Sequence, residues 1–371
     1  MAGKVLVTGG AGFIGAHVAG ELLEQGWSVR ALDNLDPQVH ESRARPGYLD
    51  DEVELQVGDV RDPQAVARAL DGVDAVLHLA ARVGVGQSMY EIAEYSDTNT
   101  RGTGVLLQAL LEHPVQRLVV ASSMSVYGEG RYEDARNRLR VATERTRAQL
   151  ERGEWEPVGR DGAALAPVPT DEEKPPALSS IYALNKYDQE RMCLLYGEAY
   201  KVPATALRFF NVFGPHQALS NPYTGVLAIF GSRLLNGKPP LIFEDGLQRR
   251  DFVSVHDVAR ACRLALEDAG AAGEVLNIGS GRSTTVCEIA EHLGRVMGRE
   301  DIEPQITGEY RVGDIRHCFA DISRAQEVLG YAPEVELEQG MEELAAWLEG
   351  EVAIDRVDDA KAELAARGLT V

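Results

Sequence analysis

The chain has 371 residues, 44% of them hydrophobic, which is enough for two joined domains or one large domain with an appended lobe. Its formal net charge of -21 repels phosphate backbones, so nucleic acid is not an expected partner and an anionic ligand would need a local basic pocket. Four cysteines, at 193, 262, 287 and 318, show no CxxC pairing, so neither a metal site nor a disulfide framework is expected. The opening MAGKVLVTGG runs straight into a strand pattern rather than a signal peptide, and no apolar run approaches a membrane span. A cytoplasmic protein with no membrane partner is the expectation.

In chain order, a short apolar run at 4–8 ends in glycines, helical spacing follows at 16–25, and a second strand spans 27–32. The rhythm repeats with a strand at 53–59, a helix near 63–70, a strand at 75–81, a helix near 98–112 and a strand at 117–123. A helix near 180–200 and a strand at 204–210 continue it. Strands alternating with helices imply right-handed crossovers and a parallel sheet covered on both faces, an α/β fold of the Rossmann-type, doubly wound class. Beyond Gly214-Pro215, loops alternate with short strands (241–243, 275–278) and helices. The reading is a dinucleotide domain over 1–214 and a smaller C-terminal substrate-binding lobe over 215–371, with some chain returning to the first domain. Residues from about 337 read as acidic surface helices. The charged, Gly- and Pro-interrupted segment 131–170 reads as an insertion, either a solvated excursion or a lid or dimer contact beside the active site.

The turn Thr8-Gly9-Gly10-Ala11-Gly12-Phe13-Ile14-Gly15 lies between the first strand and the first helix. Glycines there permit a tight turn, a close backbone approach to a pyrophosphate and close packing of helix on strand. The helix N-terminus then offers free N–H groups to the phosphates. Asp33 ends the second strand; a carboxylate there accepts from a ribose 2′-hydroxyl and repels a 2′-phosphate, which favours NAD over NADP. Asp59 and Val60 close the third strand and either border the adenine or, for Asp59, form a simple turn or cap.

Tyr182 and Lys186 stand at i and i+4 of one predicted helix, so they share a face. A neighbouring ammonium favours the phenolate, and Tyr182 can then take or return a hydroxyl proton while a nicotinamide cofactor exchanges hydride. Ser123, at the end of RLVVASS, is placed to hydrogen-bond the same reacting oxygen.

The motifs TGGAGFIG, DNL, GDV, HLAA, NTRGT, SSMSVYG, YALNK and RFFNVFGP occur in order between 8 and 215. Together they resemble the NAD-dependent epimerase/dehydratase family of extended short-chain dehydrogenases. Within it, HQALSNPYTGVLAIFGSRLLNGKPPLIFEDG is similar to the dTDP-L-rhamnose 4-epimerases. The resemblance implies an NAD site that also includes Asn34, Leu79, Ala80, Ala81, Asn99, Ser122 and Phe210. It implies a substrate side in which Val85 and Ser123 meet the sugar and Asn211 meets the diphosphate region. Phe243 would lie against the nucleobase, while Arg250, Arg311 and Asp314 would hold the diphosphate and ribose. Arginine forks match phosphate oxygens and would supply the local basic pocket. Cys318 stands where a bulky residue narrows the pocket of related UDP-hexose 4-epimerases, so room for bulk on the sugar is expected.

The family's 4,6-dehydratases carry an Asp-Glu pair directly after the residue matching Ser123, and its decarboxylating members carry a glutamate at the second of these positions. Here they are Met124 and Ser125, which cannot do that acid–base work near neutral pH. The expected function is an NAD-dependent isomerase, a nucleotide-sugar 4-epimerase working through a transient 4-keto sugar, with a nucleotide-diphosphate sugar as ligand and a homodimer as assembly. A UDP-hexose 4-epimerase, a 4-keto-sugar reductase and a silent dinucleotide sensor are the alternatives.

Overall fold

The computed structural model describes residues 3–40, 42–219, 221, 225–311, 314–351 and 357–370. Positions 220 and 222–224 of the rhamnose-type stretch, and 312–313 of YRVGD, lie outside the described residues.

Seven parallel strands form the main sheet: β1 Lys4–Thr8, β2 Ser28–Asp33, β3 Glu54–Val57, β4 Ala75–His78, β5 Arg117–Ser123, β6 Ala204–Phe209 and β7 Val275–Ile278. They lie in the order β7-β6-β5-β4-β1-β2-β3. This is the doubly wound arrangement that alternating strands and helices predict. The order reverses between β1, whose Val5 pairs with Val29 of β2, and β4, whose Ala75 pairs with the same Val5. A crevice opens at the carboxyl ends of the strands at such a reversal. VLNI at 275–278, expected among the short strands of the C-terminal lobe, is the sheet's edge strand, with Leu276 beside Leu207 of β6. Its apolar residues fit a strand with both faces covered.

Helices cover both faces. α1 (Phe13–Glu24) packs on one side, with Val18 and Leu22 buried. α2 (Pro63–Leu70) packs on the other; Asp62 caps it by accepting from the Gln64 N–H, and Pro63 fits its first position. The helix expected near 98–112 begins instead as a π-helical turn at Ser96–Arg101 and continues as α3 (Gly102–Ala109). π-turns of this kind gather at functional sites. α4 (Ile181–Tyr200) starts where the Ser180 hydroxyl accepts from the Ala183 N–H and ends at Lys201 in the left-handed conformation. Among the described residues no helix is long and apolar enough to cross a membrane.

A third hydrophobic cluster lies in the C-terminal part, where helices Val226–Leu235, Val286–Val296 and Leu337–Leu348 close around Phe213, Phe252 and Ile242. Beside it, Arg249–Arg250 pairs antiparallel with Thr284–Thr285 and parallel with His317–Cys318. The expected insertion folds as a small antiparallel sheet, 131–133 between 139–140 and 166–168, with a short helix at Arg147–Glu151. Both of its feet are tied to one segment. The Gly130 N–H donates to the His317 carbonyl at 2.8 Å and the Thr170 N–H to the Phe319 carbonyl at 2.8 Å.

Candidate active site

A deep cleft runs over the carboxyl ends of the strands from Asp33 to Tyr182. The glycine turn forms its floor. Gly9 has φ +71°, and a Cβ there would meet the Ala80 backbone nitrogen at 2.9 Å; at Gly15 it would meet the Gly9 carbonyl oxygen at 2.2 Å. Gly12 is different, because an added Cβ would touch only the Gly9 oxygen at 3.4 Å. The protein's own packing does not demand glycine at 12, so what it leaves is open floor in the cleft. α1 opens at Gly12 with no side-chain cap and no acid in its first turn. Its N–H groups are thus left for an anion, and the cradle fits a dinucleotide diphosphate.

Most of the expected cofactor residues come together here. Gly9, Gly12, Phe13, Ile14 and Gly15 line the floor, with Asp33, Asn34, Asp59 and Val60 at one end. Leu79, Ala80 and Ala81 line the middle, and Ser122, Ser123, Tyr182, Lys186 and Phe210 the other end. Asp33 accepts from the Ala11 and Leu35 N–H groups at 3.1 and 2.9 Å, which fixes the carboxylate against the turn. Asp59 is more than a turn carboxylate. Burial works against its charge, but hydrogen bonds from Arg61 and Asn34 outweigh that and bring its pKa down to about 2. Asn99 does not line the cleft. It is fully buried and holds Arg82 by its backbone, accepting from the N–H at 2.7 Å and donating to the carbonyl at 3.0 Å.

Tyr182 and Lys186 face the cleft from α4, and Ser123 reaches it from the end of β5. Burial raises the Tyr182 phenol above its ordinary value, and a hydrogen bond with Ser123 opposes the rise. Burial also lowers the Lys186 ammonium to about 8. The hydrogen bond that the ammonium makes is to Gln189 Oε1 at 2.8 Å. Gln189 is locked in that orientation. Its amide nitrogen faces the Ala80 carbonyl at 3.3 Å and Thr103 Oγ1 at 3.0 Å, while the Thr103 proton goes to the Asn99 carbonyl at 2.6 Å. Flipping the amide would lose both acceptors, so its carbonyl oxygen stays on Lys186. His78 completes the cluster between Thr8 and Thr103, kept neutral by burial, which lowers its pKa to about 3. The one sequence signal for Gln189 is its i, i+3 spacing from Lys186.

After Ser123 the chain makes a tight turn at Met124–Tyr127. Met124 is buried in the core, and Ser125 Oγ lies 3.1 Å from Ser123 Oγ. No carboxyl stands at either position.

The expected substrate residues form a second group. The Arg311 guanidinium lies 4.7 Å over the Phe243 ring and donates to Asp314 at 2.8 Å. Arg250 is 3.8 Å from the other Asp314 oxygen. Asn211 follows Phe210, and its Oδ1 is buried with no partner among the described residues. Val85 opens a four-residue helix whose Ser88 hydroxyl accepts from the Tyr182 N–H at 3.0 Å. Cys318 is buried beside Arg250 in the ladder, with Thr170 Oγ1 4.0 Å from its sulfur. None of Val85, Asn211, Phe243, Arg250, Arg311, Asp314 and Cys318 lines the cleft described above. The two groups are joined through the 210–214 segment, where Phe210 lines the cleft and Asn211–Phe213 pairs with Phe252–Ser254.

The chain matches the NAD dependent epimerase/dehydratase family over residues 5–147 and 158–279. It is 37% identical over 354 residues to a dTDP-L-rhamnose 4-epimerase from Burkholderia thailandensis, covering 94% of this chain and 96% of that one. A UDP-glucose 4-epimerase from Thermotoga maritima, solved with UDP-glucose, has a TM-score of 0.75 at 32% identity and covers 93% of this chain and 98% of its own. A UDP-glucuronic acid 4-epimerase from Bacillus cereus, solved with UDP-glucuronic acid and NAD, has a TM-score of 0.76 at 27% identity, with 93% and 99% covered. By the length of these matches and the shared fold, the chain belongs to the NAD-dependent epimerase/dehydratase family.

Proposed function

We propose that the protein is an NAD-dependent nucleotide-sugar 4-epimerase, with a dTDP-L-rhamnose-type sugar as its substrate. The observation that carries the reading is the pairing of a Ser123-Tyr182-Lys186 set with Met124 and Ser125, which offer no acid–base pair for eliminating water. What the site retains suffices for oxidation and reduction at one hydroxyl-bearing carbon. The 37% identity to a dTDP-L-rhamnose 4-epimerase supports the sugar type.

Tyr182 takes the proton of the sugar 4-hydroxyl at its phenolate oxygen and later returns it, and Ser123 hydrogen-bonds the same oxygen. Burial opposes the phenolate, so a cation is needed nearby. Lys186, one turn further along α4 and lining the same cleft, supplies that cation through the field of its ammonium, which Gln189 holds in place, rather than by a bond to the phenol. Bound NAD would supply the hydride acceptor and, on the return, the hydride donor at carbon 4. Arg250, Arg311 and Asp314, with Phe243 against the base, hold the nucleotide while the sugar turns. The orphan Oδ1 of Asn211 is an acceptor and calls for a donor, so what it supports is a contact with a substrate hydroxyl.

A homodimer is part of the reading, supported by Leu184 and Leu195, which stand 41% and 53% exposed on one side of α4. Cytoplasmic residence is supported by the four free cysteines.

Conversion of dTDP-L-rhamnose to its 4-epimer by the purified protein, with no NADH or NADPH added, is the expected result; UDP-glucose serves as the comparison sugar. A strict requirement for added reduced cofactor would reject the epimerase in favour of a 4-keto-sugar reductase. Replacing Asp33 by alanine should narrow the preference for NAD over NADP by about tenfold, since one charge-assisted ribose contact and one phosphate repulsion are both removed. Dissociation constants for the two cofactors check this, and an unchanged ratio would take Asp33 out of the ribose contact.

A further inference from the structure

The insertion between β5 and α4 sends two charged arms into the C-terminal part of the molecule. The first is Arg145, whose side chain is 5% exposed. Its guanidinium donates to Glu244 Oε1 at 2.7 Å and to the Asp314 carbonyl at 2.9 Å, and lies 3.7 Å from Glu129. The second is Glu156, which accepts from Arg316 at 3.0 and 2.6 Å and lies 2.9 Å from His317 Nε2. Arg316 is fully buried and passes the connection on to Glu244 at 3.0 Å and Asp245 at 2.6 and 3.0 Å.

Arg145 therefore ends on Glu244, the immediate neighbour of Phe243, and on Asp314 itself, while Glu156 reaches Glu244 and Asp245 only through Arg316. Glu244 sits at φ +54°, a left-handed conformation that a glutamate adopts only when its surroundings hold it there. Its carboxylate is 2% exposed and answered by two cations, Arg145 from the insertion and Arg316. Removing Arg145 leaves Glu244 to share Arg316 with Asp245 and Glu156, so the backbone around Phe243 would shift to reach water or another donor. Likewise the Asp314 carbonyl would lose the Arg145 donor, and Asp314 is the carboxylate that orients Arg311 and faces Arg250.

We infer that the insertion is the supporting frame of the nucleotide pocket, and that Arg145 is a positioning residue that sets how tightly a nucleoside diphosphate is held. The inference rests on the reading of Phe243, Arg250, Arg311 and Asp314 as the nucleotide anchor. No residue of 131–170 is among those lining the cleft of Ser123, Tyr182 and Lys186. The insertion thus acts on binding and leaves the proton-transfer groups alone. The lid or dimer roles read from the sequence are not needed to explain its contacts.

The test is titration of the NAD-loaded protein with dTDP and with UDP by calorimetry, for the wild type, Arg145→Met, Glu156→Gln and Arg250→Met. Arg145→Met should bind dTDP about tenfold more weakly or worse, because small misplacements of an anchor are costly. KM for the nucleotide sugar should rise with it while kcat at saturation stays within about threefold. Arg145→Lys, which keeps the charge and loses the fork, should fall between the two. Should Arg145→Met not fold, Glu156→Gln pulls on the same frame through Arg316 and must itself weaken dTDP binding. If the insertion variants that fold all bind within twofold of wild type while Arg250→Met loses binding, the insertion is only a surface ornament and the pocket reading survives. If Arg250→Met also binds as wild type, the nucleotide anchor lies elsewhere and the inference falls with it.

Discussion

Tyr182→Phe should lower kcat by roughly a hundred- to ten-thousand-fold, the range that one positioned proton-transfer group supplies. The change removes a single hydroxyl and keeps the ring. The backbone around it is held independently, since its own N–H donates to Ser88 Oγ at 3.0 Å and the helix start is capped by Ser180. The glycine turn, Asp33 and Lys186 are untouched, so NAD content should stay at the wild-type level. Steady-state rates together with cofactor release on denaturation separate the two quantities. Retained turnover would remove Tyr182 from proton transfer, and loss of NAD along with rate would make the residue a binding group instead.

Glu190→Leu should destabilise the protein by about 3–5 kcal/mol, the cost of leaving a buried cation without its partner. Glu190 is 1% exposed and holds Arg208 through two hydrogen bonds, at 2.7 and 2.9 Å. It also accepts from Ser122 Oγ at 2.6 Å. Arg208 is itself buried, with its guanidinium 4.7 Å over the Tyr127 ring, and has no second carboxylate to turn to among its described hydrogen bonds. One side chain thus ties α4, which carries Tyr182, to β5, which ends in Ser123, and to β6. A thermal midpoint several degrees lower is expected, with a smaller drop for Glu190→Gln, which preserves shape and one acceptor. A midpoint unchanged for Glu190→Leu would mean that the buried pair contributes nothing net.

What could be read from the sequence was what is local. The glycine turn, Asp33 and the α2 helix each depend on residues within one βα unit, and spacing alone locates them. VLNI carries no sign of which sheet it joins, so that β7 is part of the chain returning to the first domain is decided 69 residues away, as Leu276 beside Leu207 of β6. The π-turn at Ser96–Arg101 is made wholly of polar residues, SDTNTR, so no apolar period marks it and only its hydrogen bonds tell it from an α-helix. The lysine's partner was hidden for a similar reason. Gln189 is oriented by Ala80 and Thr103, at separations of 109 and 86 residues. Charge in the insertion fits a solvated excursion as well as a contact, yet Arg145 finds the buried Glu244 99 residues away and Glu156 the buried His317 161 residues away. Charge patterns in a sequence give the supply of ion pairs and say nothing of which ones the fold will bury.

In the proposed cycle the hydride leaves carbon 4 and comes back to it within one binding event. The measurement that reaches it most directly uses dTDP-L-rhamnose deuterated at carbon 4, the protein as purified and no added cofactor. The 4-epimer should form with its deuterium still on carbon 4, and free NAD added as a trap should stay unlabelled. Loss of the deuterium to water or to the free cofactor pool would contradict the account and make the protein a reductase or a dehydrogenase of the same family.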